Sequence, residues 1–168
     1  MVHVLGAAVY AILVAFQFSA RLRRRHRNWH RRAGRILVVA GLAVAGRSGL
    51  WMTLFYTGAP GGNLLWGIRL VVSSAMAASI VLGFAAIRRR EIPAHRAWMM
   101  RAYALGLGAG TQAFTEGIGQ ALLGTTDLSK AVSLGSAWVI NAVVAEWVIR
   151  RPSARRTVRA RTRVALTG

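Results

Sequence analysis

The chain has 168 residues, 55% hydrophobic and 16% charged, with no cysteine. Soluble domains carry about 45–50% apolar and about 25% charged residues, so this chain calls for a non-aqueous solvent, and disulfides, thiolate metal sites and cysteine nucleophiles are excluded. The formal charge of +19 has the sign for nucleic acid, but 20 of the 22 arginines fall in three clusters (21–35, 88–101 and 150–163), each against an apolar run, which is the pattern of cytosolic helix ends in a membrane and predicts no nucleic-acid partner.

Five apolar runs can cross about 30 Å of hydrocarbon at about 1.5 Å per residue. They predict an all-α integral membrane helical bundle with five transmembrane helices, at about 2–20, 33–56, 64–87, 98–123 and 131–149. The first run lacks a basic segment before it, and its positive charge follows it, so it is expected as an uncleaved helix with its N-terminus outside. The second is entered through "RRRHRNWHR". It leaves through the uncharged turn sequence "TGAPGGN", which is expected to face outward.

The third run ends in "RRREIPAHRAWMMR", where Pro93 can open the fourth helix because a first turn does not need its missing N–H. "GTTDLSK", with one charge of each sign, is the second outer loop. Pro152 ends the fifth helix. A transmembrane domain of 1–150 and a basic cytosolic tail of 151–168 result, the tail drawn to anionic lipid headgroups. Every loop agrees with one threading, N-terminus out and C-terminus in. The excess of arginine over lysine, with abundant Ala, Gly and Val, suggests a high-GC bacterial genome and hence a bacterial cytoplasmic membrane.

Shifted by 65 residues, the chain partly matches itself: Arg23, Arg24, Arg25, His30 and Arg31 fall on Arg88, Arg89, Arg90, His95 and Arg96. Ala20, Gly41 and Leu42 fall on Ala85, Gly106 and Leu107. Any inner loop collects arginine, but that does not place a histidine at the same offset twice. Helices 1–2 and 3–4 are therefore expected as a parallel repeat, related by an axis along the membrane normal.

These residues also resemble a known family. His30-Arg31-x-x-Gly34-Arg35 is similar to an element of the predicted membrane proteins grouped as domain of unknown function 2306, and His95-Arg96-Ala97-Trp98-Met99-Met100-Arg101 resembles its H-R-x-W-M-x-R element. Trp138, Asn141 and Glu146 are a third match, and the resemblance covers about residues 20–150. It implies an integral membrane bundle and carries no agreed activity.

Around the fourth helix, Gly106, Gly110, Ala113 and Gly117 share a face with His95, beside a stripe of Gln112, Glu116 and Gln120. On the second, Gly34, Gly41, Ala45 and Ser48 share a face with His30. Small residues let membrane helices approach closely, so these two helices are expected to be neighbours with both histidines turned inward. The histidines can anchor helix ends on carbonyls or lipid phosphates. Alternatively, His30 and His95 can ligate the iron of one b-type haem, with Arg35 or Arg101 on the propionates, or line a quinone site with Trp98. No other metal site is expected.

Arg47, about 18 Å beyond Arg35, and Glu116, about 22 Å beyond Arg101, match in depth, and Arg69 lies somewhat farther out. Unpaired charge is expensive in hydrocarbon, so Arg47 and Glu116 are expected to pair, with Gln112 and Arg69 nearby. Glu146 and Arg150 form an i,i+4 pair. No phosphate loop, nucleophile–base set or carboxylate pair is visible. Three function classes follow: a non-catalytic membrane module with a membrane-protein partner or a homo-oligomer, a haem- or quinone-dependent electron-transfer protein, and a small transporter or channel using Arg47 and Glu116.

Overall fold

The computed structural model describes residues 12–19, 21, 25–43, 54–55 and 61–151. Among these residues the regular structure is helical, with no strand. A short helical stretch covers 12–17. It is followed by α1 (Arg27–Leu42), α2 (Gly62–Arg88), α3 (Ile92–Leu123) and α4 (Asp127–Arg150). Arg47, Ala45, Ser48 and the basic tail from 152 lie outside the described residues.

The helices start earlier than counting apolar residues predicts, for local reasons. α3 begins at Ile92 because Pro93 sits in its first turn, where no N–H is needed. α4 begins at Asp127 because the Thr126 side chain accepts from the Ser129 N–H at 3.1 Å and caps the helix. Asp127 also complements the positive end of the helix dipole. Gly61, at φ 107°, and Gly62, at φ 62°, let the chain turn sharply into α2.

Among the described residues, α2 and α4 are the two helices long and apolar enough to cross a membrane. α1 has 16 described residues, and α3 carries too many polar side chains. The outward side chains of the bundle include Val71, Val81, Phe84, Phe114, Leu122, Val139 and Val143. An apolar exterior on this scale suits lipid.

α2, α3 and α4 form an antiparallel up-down-up bundle. The Gly61 N–H donates to Asp127 Oδ1 at 3.2 Å, so α2 and α4 start side by side. The first half of α2 packs on α4, where Leu65, Ala131 and Leu134 are buried beside Trp138. Its second half packs on α3, where Met76, Ile80 and Ala102 form a second cluster that also takes Val38 and Leu42 of α1. α1 lies mainly against α2.

That arrangement corrects the expected pairing of faces. Gly110, Ala113 and Gly117 are exposed, with open space beside Gly110 and Gly117. α3 turns a different small-residue face to its main neighbour, α4. Trp138 lies against Gly108 and Ser133 against Gly119, so close that a Cβ at either glycine would collide. Polar side chains on that same face add hydrogen bonds, which is why it wins.

Candidate functional site: the polar seam between α3 and α4

The α3–α4 interface carries polar contacts along most of its length. At the end nearer the α2–α3 turn, Arg101 donates to Glu146 twice, from Nε at 2.5 Å and Nη2 at 3.2 Å. The Arg101 guanidinium also lies 4.6 Å from the centre of the Trp98 ring, a cation–π distance. Glu146 takes a further contact from Arg150 at 3.3 Å, one turn on along α4. The expected Glu146–Arg150 pair is therefore present, and Arg101 joins it from the neighbouring helix.

Midway, Asn141 Nδ2 donates to Thr111 Oγ1 and to the Ala137 carbonyl, both at 2.8 Å. Gln112 donates to the Leu134 carbonyl at 3.3 Å. At the opposite end, beside the α3–α4 turn, Lys130 Nζ stands 3.6 Å from Glu116 Oε1, and Gln120 donates to the same oxygen at 3.4 Å. These groups line a small recess with Ser129 and Ser133.

His95 stands apart from the seam. Its Nδ1 lies 2.7 Å from the Gly83 carbonyl oxygen on α2. A carbonyl accepts only, so Nδ1 carries the proton, and Nε2 is the ring's other nitrogen. Such a contact anchors a helix start, and it also orients a metal-ligating imidazole. Trp98 and Met99 pack over Gly83, where a Cβ would collide with them.

Of the residues singled out in the sequence, the structure brings Trp98 and Arg101 together and adds Glu146 to them. Arg101, named with Arg35 as an alternative propionate ligand, directs its fork at Glu146. Gln112 and Glu116 lie on the seam, while Arg69 is half-buried on α2, His30 is half-buried on α1, and Arg35 is exposed on α1. Glu116 meets Lys130; Arg47, its expected partner, lies outside the described residues. Lys130 was missed because "GTTDLSK" reads as a loop, although Thr126 followed by an acidic residue is a helix-start signal that would have placed Lys130 in the first turn. Among the described residues, no group of three or more His, Asp or Glu side chains is placed to hold a metal ion.

Two of the three sequence elements thus meet through Arg101 and Glu146, while His30, Gly34 and Arg35 lie on α1. The model of the family described as Predicted membrane protein (DUF2306) matches residues 1–149. The chain belongs to that family. No curated protein and no solved structure matches it. In this DUF2306 chain, the H-R-x-W-M-x-R element and the Trp138, Asn141 and Glu146 element face each other across one helix pair. Arg101 of the first pairs with Glu146 of the second, and Trp138 of the second lies against Gly108, farther along α3.

Proposed function

We propose that the protein is a non-catalytic module of a bacterial cytoplasmic membrane, built as a five-helix bundle with its N-terminus outside. Its arginine-rich turns lie on the anionic cytosolic surface. The seam carries this reading. Arg101 with Glu146, Asn141 with Thr111, Gln112 with the Leu134 carbonyl and Glu116 with Lys130 satisfy one another across α3 and α4. Polar side chains that face a neighbouring helix and pair there let a helix as polar as α3 enter the membrane. In this account α3 crosses because α4 crosses beside it.

The parallel repeat is supported by the helix starts. α1 begins at Arg27 and α3 at Ile92, 65 residues apart, the offset that aligns His30 with His95. The His30 N–H bonds the His26 carbonyl at 3.0 Å and the His95 N–H bonds the Glu91 carbonyl at 2.9 Å, so both histidines occupy the same position in their first turns.

A visible spectrum and a proton-flux assay test the absence of chemistry. Protein produced with ample haem is expected to be colourless, and its proteoliposomes no leakier to protons than protein-free vesicles. A Soret band lost in both His30→Ala and His95→Ala would assign the protein to electron transfer. Proton flux abolished by Glu116→Gln would assign it to transport.

A further inference from the structure

The whole chain holds four carboxylate side chains, Glu91, Glu116, Asp127 and Glu146. Glu91 is exposed in the turn between α2 and α3. Glu116 meets Lys130, Asp127 accepts from the Gly61 N–H, and Glu146 takes Arg101 and Arg150. Arg69 is half-buried on α2, and among the described residues it has no carboxylate within ion-pair distance and no hydrogen-bond partner. A guanidinium has five N–H donors and no acceptor, and it cannot escape by losing its proton.

Among the described residues, the packing leaves room for an acceptor. Met76 and Ile80 lie within about 20° of Arg69 around α2, and this is the face that meets α3 farther along the helix. On α3, Ala102 is buried on that contact and Gly106 meets Met76. Ala113 and Gly117 continue the same face of α3 toward its outer end, yet both are exposed, with open space beside Gly117. The two helices therefore diverge toward the end where Arg69 sits. In depth, a 27-residue helix is roughly 40 Å long against about 30 Å of hydrocarbon, which puts Arg69 about 5 Å inside the outer boundary. Side chains lean toward a helix's N-terminus, which for α2 is this same end. A long side chain there can bring its head to the interface.

We propose that Arg69 holds a phosphate-type oxyanion in the opening between the outer halves of α2 and α3, supplied either by an outer-leaflet phospholipid headgroup or as free phosphate. The fork of the guanidinium matches two phosphate oxygens. The site rests on the proposed threading, with α2 crossing the membrane from its outer face, and is independent of whether the module performs chemistry.

Two arms distinguish the sources, both in dodecyl maltoside, which carries no phosphate. In the first, delipidated protein is re-supplied with dioleoylphosphatidylglycerol and retained lipid is counted by native mass spectrometry. In the second, thermal unfolding is followed with inorganic phosphate against chloride of equal ionic strength. A lipid site predicts one phospholipid retained by the wild type and lost in Arg69→Gln. A free-anion site predicts a phosphate-dependent rise in Tm that Arg69→Gln lacks. Arg69→Lys, which keeps the charge without the fork, should bind about tenfold more weakly in whichever arm responds, and it serves if Arg69→Gln fails to fold. Arg96→Gln, at the opposite end, should match the wild type. Identical behaviour of wild type and Arg69 variants in both arms, or an equal loss in Arg96→Gln, would overturn the site.

Discussion

Arg101 on α3 grips the Glu146 carboxylate on α4 with two donors, at 2.5 and 3.2 Å. The two side chains retain 31% and 33% of their exposure, so water screens the pair in part. Two-point geometry and the apolar surroundings of the bundle work the other way. Arg101→Gln and Glu146→Gln should each lower the unfolding temperature in detergent. The double variant should lose less than their sum, with a coupling of about 1 kcal/mol. Strict additivity would show that the pair contributes nothing to the seam.

The glycines of α3 should separate into two classes. Gly119→Val puts a branched side chain where Ser133 already sits, and should cost about 2–3 kcal/mol through overpacking. Gly117→Ala meets nothing within 4 Å, and should be neutral or stabilising by up to about 1 kcal/mol through helix propensity. Chemical unfolding of both in one detergent checks this, and equal losses would mean that α4 does not pack on the Gly108–Gly119 face.

Asn141 and Thr111 should behave as a unit. Asn141→Leu removes the donor to Thr111 Oγ1, and about 1 kcal/mol of stability with it. Adding Thr111→Val removes the group left behind and should recover part of the loss. A second substitution that only adds damage would contradict the pairing.

The membrane character of the chain was legible in the sequence because it depends on composition and on where arginine falls, not on tertiary detail. Helix ends were less legible. Apolar counting stops where hydrocarbon stops, whereas a helix runs on while its caps allow, so Pro93 and Thr126 moved two starts outward from the predicted spans. The choice of face on α3 was not legible at all. Gly106, Gly110, Ala113 and Gly117 make one small-residue stripe, and Gly108 with Gly119 makes another. A helical wheel cannot say which one a neighbour takes. The structure settles it with the bulk of Trp138 and Ser133 and the reach of Asn141 and Glu146.

Depth alone did not point to the partner that Glu116 has among the described residues. Glu116 and Arg47 lie at similar distances from their arginine clusters, but depth does not fix azimuth. Glu116 faces α4, and the first turn of α4 supplies Lys130. Arg101 and Glu146, in contrast, belong to stretches beside the arginine clusters, where charge is expected to be solvated, and only the antiparallel register of α3 and α4 reveals that they meet.

In the proposed threading, α3 crosses the membrane despite its polar residues. The chain has no cysteine, so single cysteines report cleanly. Arg89→Cys and Thr125→Cys place exposed thiols just beyond the two ends of α3. In intact cells an impermeant maleimide should label Thr125→Cys at once, and Arg89→Cys only after permeabilisation. Labelling of both from the same side would show that α3 does not cross, and the polar seam would then need another explanation.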